Sequence, residues 1–546
     1  MTSPHEEGDP KSKLCFILEA PSGTELAMGR PVVGEAGQLF NEYLHEAGVI
    51  RASSYILNVF EERVFRPRGN GNIVLSTSGE VMWTRARGFT AAAEPQVKRF
   101  RKRIRESGAN VFVPMGAIAL TAMTDGLTTI MKYRGSPMTS KLVSGRTVIP
   151  TVHPAATLDR PGGQYLWRYF IIEDVKKAVR HLRNRTLKVP KRQFIIDPRL
   201  DDCISFIEEC KKHSIVATDV EIFNGNISCF SLSFNPSSAI SIPMIMEAGR
   251  SRWNEYDEMT IWKAFASLMR TKRIRKCNQN ILFDMHMYLA RNSIFLEGEL
   301  CDPMIAFSIM FPDFPKRLEV ISSLQTDEPY YKDDRKIWKR YWLDFEKFWI
   351  YNAKDSAVAL ECWLNLEPYL DDEGFRQTYD MTIDLLRPLL FMMIDGIKID
   401  EKRLKEHGVE VRKRLDKLRQ ELDRTAEYEF NPFSPKQCIE YFYETKAYHP
   451  YTSIKTRKPS CDDTNLQKII RRYNSKEARL VQQIRTTNKM LGYLDIPYDK
   501  DKKLRCSYNP RGTWTGRLSS ETSLLETGTN MQNLPMEFKE FLTVDD

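Results

Sequence analysis

Asp219 and Glu221 stand two residues apart in Ile215–Phe223, an otherwise apolar run reading I-V-A-T-D-V-E-I-F. In a β-strand side chains alternate between faces, so both carboxylates point the same way. Two such charges together are costly unless a cation or hydrogen-bond donors compensate them. A divalent metal suits them, because hard cations take oxygen ligands; taken alone, the pair also suits a strand end. Downstream, Asn280 and Asp284 lie at i and i+4 of C-N-Q-N-I-L-F-D-M-H-M-Y-L, on one face of an expected helix. Tyr351 and Asp355 repeat that spacing in W-I-Y-N-A-K-D, and Asp302 follows the apolar run between them. Each motif singly reads as a helix surface. The ordered set D-x-E, N-x-x-F-D, Y-x-x-x-D is far more specific.

A second group of candidates comes from strand-end loops earlier in the chain. Leu14–Leu18 and Val111–Val113 are short apolar runs ending in Gly/Pro-rich turns, as strands of a parallel sheet do, while 96–107 and 166–183 are helical by spacing. Glu19 opens the E-A-P-S-G-T-E stretch after the first strand, and G-R-P-V-V-G-E-A-G spans 29–37. Asn58 follows Y-I-L, and His153 stands in T-V-H-P-A-A. Ligands bind at such loops in α/β sheets, although Gly and Pro there also simply build turns.

The scaffold must be large. A chain of 546 residues exceeds one core, and roughly three or four domains are expected. Hydrophobic content of 42% with 28% charged residues is that of a globular protein. No run approaches the roughly twenty apolar residues of a membrane span, and the N-terminus has no basic-then-apolar signal pattern. A cytoplasmic protein without a membrane partner is expected. The net charge of +9 is modest, but basic residues cluster at Lys98–Arg105 and Lys176–Arg192. These runs suit solvated helix faces and equally a polyanion such as DNA. The ten Cys form no C-x-x-C pair, so neither a zinc site nor a disulfide framework is indicated.

Around the acidic pair the elements follow in a readable order. A turn and helix over 197–212 lead into the D-x-E strand, Asn224-Gly225 signals a hairpin, and I-S-C-F-S-L-S-F forms the returning strand. With the downstream motifs, residues 196–370 resemble the DEDDy class of 3′–5′ exonucleases, which has an RNase H-like fold; the domain is placed at 198–370. The resemblance implies two divalent cations, Mg2+ or Mn2+, about 4 Å apart, which activate water and stabilise a leaving phosphodiester oxygen. Asp219, Glu221, Asp284 and Asp355 would hold them, Tyr351 would orient the water, and Asn280 would position the strand carrying Asp284.

Residues 12–185 resemble the uracil-DNA glycosylase superfamily, its family 4 above all, through the E-A-P-S-G, G-R-P-V-V-G-E-A-G, Asn58 and H-P-A-A stretches. That implies a pocket for a flipped base, with Glu19 near the water, Asn58 on the base edge and His153 beside the leaving base. Several positions depart from the family pattern. Leu18 and Ser22 replace two Gly, and Val32 stands where an aromatic ring would stack on the base, a contact of about 1–3 kcal/mol. Cys15 is the domain's single Cys, so no iron–sulfur cluster is expected. A glycosylase-like fold rather than an excising enzyme is the expectation, and residues 186–197 read as a basic linker to the next domain.

The last segment changes character. Leu385–Asp400 reads as an apolar helix closing at Gly396 before a short strand, and Glu401–Phe430 as a long charged helix. N-P-F-S-P-K-Q is a turn with an N-cap, and T-W-T-G-R-L-S-S and N-M-Q-N-L-P follow near the end. These resemble family A DNA polymerases over 371–546. The resemblance implies that Thr515, Arg517, Gln532 and Asn533 hold a primer–template. The family's Asp-Tyr-Ser strand, its Lys/Arg helix and its H-D-E motif are not found, and Asp545 and Asp546 do not match the first. The sequence therefore looks like the front of a longer polymerase.

The fold class expected is α/β multidomain: a glycosylase-like domain, an RNase H-like exonuclease, then a largely helical thumb and the start of a palm. The function expected is that of a bacteriophage-type family A DNA polymerase in DNA replication, with a proofreading 3′–5′ exonuclease whose site alone is complete. DNA, as primer–template and single-stranded 3′ end, is the expected partner in a host cytoplasm. Nucleoside triphosphates would bind only with the palm, and processivity factors are further candidates. A stand-alone exonuclease with accessory DNA-binding domains, and a non-catalytic DNA-binding fragment, remain the alternatives.

Overall fold

The computed structural model describes residues 2–67, 71–124, 126–159, 164–246, 249–333, 345–454 and 456–544. Asp545 and Asp546 lie outside them. The chain divides into two compact units, one running to Ile383 and one from Asp384.

Among the described residues the first unit holds two α/β sheets and a small antiparallel one of Ile73–Leu75, Val81–Thr84 and Gly88–Phe89. In the first sheet, Leu14–Leu18 lies between Tyr55–Asn58 and Val111–Pro114, all parallel, and Val111–Pro114 pairs in turn with Thr147–Val148. Leu14–Leu18 and Val111–Pro114 are buried throughout, as strands covered on both faces must be. Helices Glu35–Glu46, Glu94–Glu106 and Arg168–His181 accompany the sheet. A short Glu6–Glu7 strand adds antiparallel to the Tyr55–Asn58 edge.

The second sheet has six strands in the order Gln193–Ile195, Ser238–Pro243, Asn226–Asn235, Ile215–Phe223, Arg275–Cys277 and Leu300–Cys301. Ile215–Phe223 and Asn226–Asn235 form the expected hairpin, with Asn224 and Gly225 both at positive φ (46° and 73°), as a two-residue turn of that hand requires. Ile215–Phe223 then pairs in parallel with Arg275–Cys277. The helix Phe345–Asp372 packs across the three central strands. Residues 193–195, read from sequence as linker, form the edge strand instead. Phe194 packs there against Ala239, Ala353 and Ala357, apolar contact that a basic composition concealed.

In the second unit, Leu386–Asp395 ends at Gly396 and leads into the strand Ile397–Ile399, which pairs with Lys503–Leu504 and Leu542–Thr543. The charged helix Glu401–Ala426 packs along Lys476–Leu494. Leu404, Val411, Leu415 and Leu422 supply its buried stripe. Among the described residues no helix is long and apolar enough to cross a membrane.

Candidate active site

The Ile215–Phe223 strand presents Asp219 and Glu221 to one face, opposite Ser231 and Cys229 of its antiparallel neighbour. The Phe345–Asp372 helix crosses that face and brings Asp355 to them. Oxygen atoms of Asp219, Glu221 and Asp355 all lie within 4.8 Å of one another. Glu221 and Asp355 are buried, whereas Asp219 stays partly exposed. Three hard oxygen donors converging at this spacing fit a divalent cation, and their number calls for positive charge.

Asp284 sits on the helix Ile281–Asn292, one shell deeper. Its Oδ1 accepts the Val220 backbone N–H at 2.9 Å, which ties it to the acidic strand between the two carboxylates. Asn278 Nδ2 bridges the pair, donating to Asp284 Oδ2 at 2.8 Å and to Asp219 Oδ1 at 3.2 Å. Asn352 Nδ2 donates to Asp219 Oδ2 at 2.9 Å, and its side-chain Oδ1 accepts from Ser241 Oγ at 2.8 Å. Asp219 is thereby fixed from two sides.

Burial raises the Asp219 carboxyl well above its ordinary range, and the neighbouring Asp355 and Glu221 charges add to the shift, against Lys332 and the Asn278 amide. Burial followed by the Asp219 charge does the same to Asp284. Asp302 is also pushed up, to about 6, by burial. It is a scaffold group: it caps Pro303–Met310 through Met304 N–H and accepts the N–H groups of Asn280 and Ile281 at 3.1 and 3.0 Å.

Sequence spacing placed Asn280 and Asp284 on one helix face, and here the structure corrects it. The helix starts at Ile281; Asn280 precedes it as an exposed cap residue at φ 61°. Asn278, at the end of the Arg275–Cys277 strand, is the amide that reaches Asp284. Its signal in the sequence was only its place directly after a buried strand. Asn352, next to Tyr351 on the helix, could have been read from helical geometry. Tyr331 and Lys332 could not: their segment has no periodicity, yet Tyr331 OH donates to Asp355 Oδ1 at 2.6 Å and Lys332 Nζ lies 2.6 Å from both oxygens of Asp355 and 3.1 Å from Tyr351 OH.

The glycosylase-like candidates are arranged differently. Glu19 follows Leu14–Leu18, Asn58 closes Tyr55–Asn58 and His153 follows the Thr147–Val148 strand, and each makes a polar contact within the chain. Arg66 Nη2 pairs with Glu19 Oε2 at 2.5 Å, Asn58 Nδ2 donates to Pro4 O at 3.4 Å, and His153 Nδ1 accepts from Ala155 N–H at 3.1 Å. Val32 is buried at φ 54° with its carbonyl accepting from Arg51. A Cβ on Gly37 would lie 2.2 Å from that carbonyl oxygen, so this tight turn needs glycine. Ser22, where the family pattern has Gly, caps the helix Gly23–Met28 in a reciprocal box with Glu25.

The basic runs divide by role. Lys177 is buried, Arg192 pairs with Glu328 and Glu361, and Arg99 and Arg103 pair with Glu61 and Glu6. Arg180, Arg183, Arg185, Lys188 and Lys191 stay exposed. In the second unit, Thr515 and Arg517 are exposed on the loop joining the paired strands Cys506–Asn509 and Ser519–Thr522. Ser520 Oγ donates to Asn530 Oδ1 at 2.7 Å and lies 3.3 Å from Gln532 Oε1, so the last two motifs are neighbours. Gln532 and Asn533 are exposed beside it.

Residues 5–182 match the uracil DNA glycosylase superfamily, and residues 401–544 match DNA polymerase family A. The type-4 uracil-DNA glycosylase of Thermotoga maritima is 32% identical over 173 residues, covering 32% of this chain and 79% of that protein. The DNA polymerase of Bacillus phage SP01 is 20% identical over an alignment covering 98% of this chain and 64% of its own. Among solved structures, the POL domain of Pol1 from M. smegmatis, in complex with DNA primer-template and dNTP, aligns at a TM-score of 0.52 and 16% identity. That alignment covers 65% of this chain and 59% of that one. The chain thus spans a little under two thirds of the phage polymerase it matches.

Proposed function

We propose, from a chain that belongs to the uracil-DNA glycosylase superfamily through residues 5–182 and matches DNA polymerase family A over residues 401–544, that it serves DNA-directed DNA synthesis in replication, with a 3′–5′ proofreading exonuclease at Asp219. The exonuclease domain spans about residues 198–370. The observation that carries the reading is the convergence of Asp219, Glu221 and Asp355 within 4.8 Å, backed by Asp284 through Asn278.

Asp219, Glu221 and Asp355 are the residues that would hold divalent cations, Mg2+ or Mn2+, with Asp284 completing the set. When bound, such ions activate a water and stabilise the leaving oxygen of a phosphodiester. The protein's own part is positional. Asn278 and Asn352 fix the rotamer of Asp219, and the Val220 N–H fixes Asp284. The Tyr351 hydroxyl, on the same helix as Asp355, is placed to orient the attacking water. Thr515, Arg517, Gln532 and Asn533 are exposed donors suited to a DNA backbone. The first domain, in which Glu19 is bound by Arg66 and Val32 stands in place of a stacking ring, serves as a DNA-binding and structural module rather than an excising enzyme. The reading is tested by Mg2+-dependent digestion of a 3′-terminal single-stranded oligonucleotide. Asp219→Ala with Glu221→Ala should abolish it, and digestion retained by that variant would refute the site.

A further inference from the structure

Lys332 and the segment that carries it have no place in the mechanism above. The Lys332 side chain is only 12% exposed, and its ammonium is 2.6 Å from both oxygens of Asp355. It also lies 4.8 Å from the centre of the Tyr351 ring and 5.0 Å from that of Tyr331. A divalent cation would use the same Asp355 oxygens, and beside the Lys332 ammonium it would meet a like charge at close range.

The segment from Thr326 to Asp333 is gripped from the glycosylase-like domain along its length. Lys177 Nζ donates to Thr326 O at 2.6 Å, and His181 Nε2 lies 3.4 Å from Asp327. The Tyr133 ring meets the Tyr330 ring edge-on at 5.1 Å, and Lys132 pairs with Asp333. Between these grips, Glu328 takes Arg192 and Lys354, and Tyr331 and Lys332 turn inward onto Asp355. At the domain contact, Lys177 and Arg134 are buried with Asp174 and also bond Ser323.

We propose that Lys332 is a tethered counter-ion that competes with a divalent cation for Asp355, and that the glycosylase-like domain sets the strength of this competition by holding the Thr326–Asp333 strap. The inference rests on the exonuclease reading of the Asp219 site and adds a control on metal occupancy exerted from a neighbouring domain. The Lys332 charge opposes a metal ion on Asp355, so whatever loosens the strap favours metal entry. Lys132, which pairs with Asp333 and touches none of Asp219, Glu221, Asp284 and Asp355, is the positioning residue at its end.

The test measures Mn2+ binding to the full chain by the electron spin resonance of free Mn2+, alongside 3′ digestion across Mn2+ concentrations. Lys332→Met should lower the Mn2+ concentration for half-saturation by about tenfold, in the range seen for groups that support metal ligands. Lys132→Ala should shift it the same way by about threefold, with the rate at saturating Mn2+ unchanged. Half-saturation of Lys332→Met at or above that of the wild type overturns the proposal. If near-ultraviolet circular dichroism shows that variant misfolded, Lys132→Ala and Asp333→Ala decide, and unchanged Mn2+ binding in both overturns it. Should Asp219→Ala with Glu221→Ala lose Mn2+ binding and digestion while Lys332→Met binds like the wild type, the exonuclease reading stands and the latch falls. If the double variant binds Mn2+ as the wild type does, both fall.

Discussion

Two α/β sheets in one compact unit carry strand-borne polar residues, and they treat them in opposite ways. At the Asp219 site three carboxylates from a strand and a helix far apart in sequence are driven together, and amides from Asn278 and Asn352 hold one of them in place. Around the first sheet, Glu19, Asn58 and His153 follow neighbouring strands, yet each is turned to a partner of the chain's own: Arg66, the Pro4 carbonyl and the Ala155 N–H. Frustrated like charges mark a site that expects a ligand. Satisfied polar groups mark a surface that can persist without one. The two sheets therefore differ less in whether their polar groups have partners, since Lys332 and Tyr331 reach Asp355, than in the crowding of like charge at the second.

The sharpest way to break this comparison is Asp355→Ala, which removes the helix's ligand and the anchor of Lys332 together. Initial rates of 3′ digestion at saturating Mg2+ should fall on the order of a thousandfold; a loss below tenfold would return the trio to the status of an ordinary acidic cluster. Asn278→Ala should cost about 10–100-fold in Mn2+ affinity or rate, since it deprives Asp219 and Asp284 of their shared donor. An effect confined to melting temperature would make Asn278 purely structural.

The raised Asp219 carboxyl gives a pH test in the presence of a chelator. A carboxyl raised in the folded state keeps its proton while the unfolded chain, with the ordinary value of 3.8, releases its own. Stability from this group is thus full below that value and is lost as pH rises through the folded one. The neutral Asp219→Asn cannot follow this course. The melting-temperature difference should move in favour of the variant as pH rises from about 4 to 7, by roughly 2–4 °C per kcal/mol. A gap that stays constant with pH would remove the electrostatic half of the comparison. The smallest effect belongs to the first sheet: the chain should leave a uracil-containing single-stranded oligonucleotide intact. Alkali-labile abasic sites that disappear with His153→Ala would show that this sheet, too, keeps a working site.

Much of the architecture was legible in the residues because local geometry carries it. Strand alternation put Asp219 and Glu221 on one face, Asn224-Gly225 set the hairpin, and helical spacing joined Tyr351 to Asp355. The i, i+4 reading failed at Asn280, where the chain takes a left-handed turn before the helix begins, a conformation that side-chain periodicity does not encode. Likewise the basic 186–197 stretch concealed an edge strand, because one half-buried Phe194 among charges gives no repeating pattern.

The sequence by itself determined which residue types could hold a metal and on which elements they ride, since both follow from short-range periodicity and from the chemistry of carboxylates. Only the tertiary structure decided which amides brace them, that Asp284 stands one step behind the trio, and that a strap held by a different domain turns Lys332 onto Asp355. Those contacts depend on strand pairing such as Ala217 with Cys277 and on a buried Arg134–Asp174–Lys177 cluster whose two cations bond Ser323 of the next domain, and neither leaves a periodic trace along the chain.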